Sequence, residues 1–300
     1  MSEKVLVTGG CGFIGSNLVD TLVSQGNHVI VMDNLSAESN EKFYFNPSAV
    51  YLQEDITDIE AVFSAMKGCS RVFHLAAESR IGPSIENPSK ACQTNVVGTC
   101  NVLTAARDLG VKSLVYSSTS ACYGLSKKMP QLESDPIDNL NPYSSSKYAG
   151  EDLVRMFHKL WGLNTTSLRY FNVYGERMPH KGQYAPVIGI FLRQKSAGES
   201  LTIVGDGEQK RDFVHVSDVV NANILASQTP SCWGSVYNVG SGKSYTINEI
   251  ASWISSSSNH LPPRAGEARN TLADTSSIRK ASGWIPAVDL RAWINRELAR

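Results

Sequence analysis

The chain has no excess of charge of either sign: among its 300 residues, 28 Lys and Arg are matched by 28 Asp and Glu. A balanced chain with a pI of about 7.0 offers no strongly basic face, which argues against nucleic acid as a partner. No apolar run approaches transmembrane length, so no membrane is expected. The opening Met1 to Lys4, ahead of a short apolar strand, is not the pattern of a signal peptide. The six cysteines, at 11, 69, 92, 100, 122 and 232, include no Cys-x-x-Cys pair and no companion histidine pattern. That excludes the usual zinc spacing, leaves no metal expected, and reads as reduced thiols in a cytoplasmic enzyme. There is no internal repeat, and the serine run at 255–258 is short enough for a loop. What remains, 42% hydrophobic and 19% charged, is an ordinary globular composition, long enough for one large domain or two smaller ones.

The stretch that organises the chain is Tyr143-Ser-Ser-Ser-Lys147. A spacing of four puts both side chains on one face of a helix. A phenol titrates near ~10, and a nearby ammonium favours the phenolate, which makes the tyrosine a usable acid/base. Such a pair is common on surface helices, so the chemistry depends on a cofactor site and a third polar partner. Both are present. Lys4 to Thr8 reads as a buried strand that runs into Gly9-Gly-Cys-Gly12-Phe13-Ile14-Gly15 and then a helix from Ser16 to Gln25. A strand, a glycine turn and a helix N-terminus present backbone N–H groups to a pyrophosphate. The second strand, His28 to Met32, ends at Asp33-Asn34, where an acid can accept from both adenosine ribose hydroxyls. No Arg or Lys follows before Lys42, which favours NAD over NADP. A third strand from Val50 to Gln53 ends near Asp55-Ile56; Asp55 either meets the adenine amino group or is a solvated loop acid.

Further strands are expected at Arg71 to His74, followed by Leu75-Ala76-Ala77 close to the cofactor, and at Lys112 to Ser117. His74 reads as a packed strand-end residue. One long helix from Pro88 to Arg107 carries Asn95, whose amide should bond backbone near the site. Ser117, Ser118 and Thr119 fall at a strand's carboxyl end, where ligands bind in open parallel sheets. One of them completes a hydroxyl–Tyr–Lys set. The β-α alternation up to about Arg169 predicts an α/β doubly wound parallel sheet. Beyond it the pattern is irregular: a strand at Leu163 to Leu168, a helix at Val187 to Ser196, a strand at Leu201 to Val204, an extended Phe213 to Val216, a helix at Val219 to Ser227, a possible return to the main sheet at Val236 to Val239, a helix at Ile247 to Ile254, and two short helices around Gly283 to Pro286.

Together the glycine turn, Asp33, Asp55-Ile56, Leu75-Ala-Ala77, Asn95, Ser117-Ser-Thr119, Tyr143-x-x-x-Lys147, Tyr170-Phe-Asn-Val-Tyr-Gly175 and Arg211-Asp-Phe213 resemble the extended short-chain dehydrogenase/reductase family over essentially the whole chain. The resemblance implies a Rossmann-type NAD domain (1–172 with about 213–242) and a smaller discontinuous α+β substrate domain (173–212 and 243–300). It also implies a homodimer packed through helices near 89–107 and 144–161. Within the family the likeness is to UDP-hexose 4-epimerases, especially the branch acting on N-acetylated sugars.

That likeness gives roles to residues. Gly9, Gly12, Phe13, Ile14, Asp33, Asn34, Asp55, Ile56, Leu75, Ala76, Ala77, Asn95, Ser117, Tyr143, Lys147 and Tyr170 would hold NAD. The UDP-sugar would meet Ser118, Thr119, Tyr143, Asn172, Val187, Thr202, Arg211, Arg264, Glu267 and Thr271. Thr119, Tyr143 and Lys147 would be catalytic, with either Ser118 or Thr119 at the sugar 4-oxygen. Related dehydratases and decarboxylases carry acids just after the catalytic hydroxyl; here those places are Ser120 and Ala121, which implies reversible hydride transfer and not elimination. Thr271 aligns with a gate that a large aromatic narrows in some 4-epimerases. A threonine there implies room for UDP-GlcNAc and UDP-GalNAc beside UDP-Glc and UDP-Gal. An epimerase or reductase of another nucleotide sugar, such as UDP-glucuronate, and a silent NAD- or nucleotide-sugar-binding regulator are the alternatives.

Overall fold

The computed structural model describes residues 2–37, 42–181, 185–263 and 268–300. Its strands, in chain order, are β1 (Lys4–Thr8), β2 (His28–Met32), β3 (Val50–Leu52), β4 (Arg71–His74), β5 (Ser113–Thr119), β6 (Thr165–Tyr170), β7 (Asn172–Tyr174), β8 (Leu201–Val204), β9 (Lys210–His215), β10 (Ser235–Val239), β11 (Ser244–Thr246) and β12 (Ser258–Leu261). Seven of them form one sheet in the order β10-β6-β5-β4-β1-β2-β3, every pair parallel. The doubly wound sheet expected from the alternation is therefore present, and β10 does return to it beside β6.

Apolar runs such as Val5-Leu6-Val7 suit a sheet covered on both faces. Alternate residues enter separate cores. Val5 and Val7 pack with Leu18 and Leu22 of helix Phe13–Ser24 and with Val219 of helix Val216–Gln228. Leu6 joins Val62, Val102 and Val154 on the other side. The chain winds outward from β1 to β3, then crosses to β4 and winds the other way. The crevice at the carboxyl ends of β1 and β4 is the topological switch point, where ligands bind in such sheets. A third core, with Tyr174, Phe191, Phe213, Ile250 and Trp293, lies under two small sheets, β11-β9-β7 and β12-β8.

Some elements differ from the sequence reading. The helix expected from Pro88 to Arg107 is broken into Pro88–Cys92, a wider π turn at Gln93–Gly98, and Thr99–Asp108. The turn lets Asn95 reach the backbone of Glu78, and at Gly98 a side chain would collide with Ile56, 2.6 Å away. β5 runs two residues beyond Ser117, so Ser118 and Thr119 are still strand. The dinucleotide-side helix begins at Phe13, not Ser16. No helix among the described residues is long and apolar enough to cross a membrane.

Candidate active site

A cleft of about 870 Å³ opens at the switch point. Its floor is the glycine turn. Gly9 has φ +72, a conformation open to glycine, and a Cβ there would stand 2.7 Å from the Ala76 nitrogen. Gly15 is tighter still: a Cβ would lie 2.1 Å from the Gly9 carbonyl oxygen. Helix Phe13–Ser24 starts after Gly12, with no side chain capping its first amides. Those amides line the cleft, together with Gly12 to Gly15. This is a cradle for a diphosphate, and it fits a dinucleotide cofactor. At the end of β2, Asp33 is held by the N–H groups of Cys11 (3.0 Å) and Leu35 (2.9 Å), which fixes its carboxylate at the cleft wall.

The other wall is helix Pro142–Trp161. It starts cleanly because Asn141 caps it, accepting the Ser144 N–H at 2.9 Å, and Pro142 occupies the first turn. It ends at Gly162 in the left-handed region (φ +68). Tyr143 and Lys147 both face the cleft. The Thr119 hydroxyl accepts the Ala121 N–H at 3.1 Å, and Thr119 lines the cleft with Tyr143. Ser118 also lines the cleft, but its hydroxyl is taken up by Glu151, to which it donates at 2.6 Å. Glu151 in turn pairs with Arg169 at 2.6 Å, both nearly out of solvent.

The charges differ from the simple expectation. Burial raises the Tyr143 phenol above its ordinary value, opposed by the Thr119 hydroxyl and by the Arg80 charge. Burial also pulls Lys147 down to about 7, with Glu151 opposing. The Lys147 ammonium sits over the Tyr116 ring, 4.2 Å from its centre. His74 is packed, as read from sequence. Its Nδ1 is 2.7 Å from the Thr8 hydroxyl and its Nε2 3.0 Å from that of Thr99, and burial lowers it to about 3.

Of the residues expected around the cofactor, most line this cleft; Asp55 and Asn95 do not. Burial would raise Asp55, but hydrogen bonds from Thr57 and from Asn34 (2.6 Å) hold it low and occupy its oxygens. Asn95 is a clamp. It bonds both backbone groups of Glu78 (2.8 and 3.0 Å) and the Ser146 hydroxyl (2.9 Å). On the substrate side Ser118, Thr119, Asn172, Val187, Thr202, Arg211 and Thr271 line the cleft. The Asn172 amide donates to the Asp212 carbonyl (2.8 Å) and to the Thr271 hydroxyl (3.2 Å), while the carbonyls of Lys210 and Arg269 hold Arg211. Arg264 and Glu267 lie outside the described residues, as does the stretch 182–184. Sequence reasoning missed Arg80, which lines the cleft, and Ser84, whose hydroxyl accepts the Tyr143 N–H at 3.0 Å. The only signal was their place after the end of β4.

Residues 5–240 match the model of the NAD dependent epimerase/dehydratase family. A UDP-glucose 4-epimerase of Mycolicibacterium smegmatis is 35% identical over 96% of this chain and 95% of its own. The crystal structure of a UDP-glucose 4-epimerase with UDP-glucose from Thermotoga maritima superposes with a TM-score of 0.93, at 34% identity over 99% of this chain and 97% of that one. A UDP-N-acetylglucosamine 4-epimerase from Methanobrevibacter ruminantium M1, in complex with UDP-N-acetylmuramic acid, superposes at 0.92 with 34% identity and the same coverage.

Proposed function

The chain belongs to the NAD dependent epimerase/dehydratase family, and from that premise we propose that it is a 4-epimerase of UDP-hexoses acting on both the glucose and the N-acetylglucosamine pairs. One observation carries the reading: Thr119, Tyr143 and Lys147 line one cleft, which holds the glycine cradle at one end and Asn172, Arg211 and Thr271 at the other. NAD, when bound in that cradle, supplies a reversible hydride acceptor for C4 of the sugar. The protein supplies the rest. Tyr143 takes the proton of the 4-hydroxyl and later returns it. Thr119 hydrogen-bonds the 4-oxygen. Arg211 and Asn172 hold the diphosphate while the 4-keto sugar turns over, and a guanidinium suits that anion. Ser120 and Ala121 line the same cleft, and neither is an acid that could drive elimination. Thr271 is small, and its hydroxyl is tied to Asn172 and to the Asp212 N–H (3.1 Å), which keeps the sugar end open to an N-acetyl group.

A homodimer fits the same reading. Val97, Met156, Leu160 and Trp161 are exposed on the helices expected to pair, Leu160 at 64% and Trp161 at 47%. The test of function is proton NMR of the purified protein, with bound NAD verified, given UDP-GlcNAc and separately UDP-Glc without added cofactor. Galacto-configured anomeric signals are expected from both. Silence with both overturns the assignment, and turnover of UDP-Glc alone overturns the open gate at Thr271.

A further inference from the structure

Asp212 is fully buried on β9, behind the substrate end of the cleft that its neighbours Arg211 and Phe213 line. Each of its polar atoms is engaged. On the backbone, its N–H donates to the Thr271 hydroxyl (3.1 Å) and its carbonyl accepts the Asn172 amide (2.8 Å). Both of those residues line the cleft. On the side chain, Oδ1 accepts the Ser241 N–H and hydroxyl, each at 2.7 Å. Oδ2 accepts the N–H groups of Gly242 and Ala273, each at 3.0 Å. The side chain's partners are all donors, which suits a carboxylate and not its amide.

The surroundings are shaped to that carboxylate. Gly242 reaches it from a left-handed conformation (φ +71), and a Cβ at Gly240 would stand 2.9 Å from Oδ2. Three pieces of chain meet there: β9, the turn that leaves β10 of the large sheet, and the stretch 271–273. We propose that Asp212 is a positioning residue of the nucleotide-sugar end, whose carboxylate fixes 271–273 against β9 and so sets where Arg211, Asn172 and Thr271 stand. The proposal rests on the 4-epimerase reading for the identity of the ligand. The molecule carries its own control. Asp218 is buried too, and its carboxylate accepts the N–H groups of Ala287 (3.0 Å) and Val288 (3.1 Å), but it is not among the residues lining the cleft.

The experiment uses the purified protein with bound NAD as wild type, Asp212→Asn and Asp218→Asn. Calorimetry measures UDP affinity, steady-state kinetics measure KM and kcat with UDP-glucose, and amide hydrogen exchange reports on the backbone. In Asp212→Asn an NH2 group must face two donors in either orientation, so one tie is lost and another repelled. UDP affinity is expected to fall by about tenfold or more, because hydrogen bonds to a buried charge are lost. KM should rise by a similar factor with much less change in kcat, and exchange should quicken at 241–242 and 271–273. Asp218→Asn should lower the melting temperature and leave UDP affinity as in wild type. If Asp212→Asn does not fold, Ser241→Ala removes one donor pair from Oδ1 and should weaken UDP several-fold. Unchanged UDP affinity in the Asp212 or Ser241 variant, or an equal loss in Asp218→Asn, overturns the proposal. A wild type that binds UDP but turns over no UDP-glucose ends the 4-epimerase reading, and the UDP calorimetry still decides the role of Asp212.

Discussion

Ser118 and Thr119 are neighbours on β5, and their hydroxyls have different partners. Ser118 donates to the buried Glu151–Arg169 pair, while Thr119 accepts the Ala121 N–H at the wall of the cleft that Tyr143 also lines. The choice that sequence left open is thereby given a geometry. Thr119→Val removes the hydroxyl proposed to meet the 4-oxygen and should lower kcat by about 10²-fold, with about 1 kcal/mol of stability lost because the Ala121 N–H goes uncapped. Ser118→Ala should lower stability by about 1 kcal/mol as well but leave kcat within a few-fold. Steady-state kinetics and denaturant unfolding on the two variants check this, and a larger loss of kcat in Ser118→Ala would exchange the roles. The tyrosine and lysine were legible because four-residue spacing on a helix is a geometric statement. Arg80 was not, because a lone arginine beyond a strand acquires meaning only from what surrounds it in space.

Among the elements, the glycine turn is the one whose conformation admits least change. Gly9→Ala must place a Cβ against the Ala76 nitrogen at a positive φ, so β1 and the end of β4 have to part. The expected result is NAD affinity reduced at least tenfold, read by calorimetry; unchanged affinity would mean that the turn is not the diphosphate cradle. Most strands of the large sheet announced themselves as apolar runs, because burial on both faces leaves little room for polar residues. β7 and β11, of three residues each, are too short to carry a period. The π turn was illegible for another reason. Nothing in the local sequence competes with a continuous helix; the competition comes from Glu78 and Ile56, which are distant along the chain.

For the molecule as a whole, Lys147 ties stability to pH. Its folded value, about 7, lies below the unfolded one of about 10.4, so between the two the unfolded chain binds the extra proton. Stability from this group is therefore lowest below about pH 7 and rises as pH increases towards the unfolded value. Lys147→Met should abolish that slope: the variant gains most over wild type in acid, and the gain shrinks above neutrality. Denaturant unfolding at a series of pH values measures the difference, in which the other titrating groups cancel; a gain independent of pH would contradict it.

The place of β10 has a consequence for how the protein is made. The large sheet is complete only when residues 235–239 dock beside β6, 65 positions after β6 ends at Tyr170, with β7, β8 and β9 laid down in between. Every residue of β6 is buried in the finished sheet. While the ribosome is still adding that interval, a nascent chain with the first six strands in place carries β6 as a bare edge, open to pairing with any other extended chain. The emerging protein thus passes through an interval of exposure whose length is set by its own topology, and the strand that ends it arrives late in synthesis.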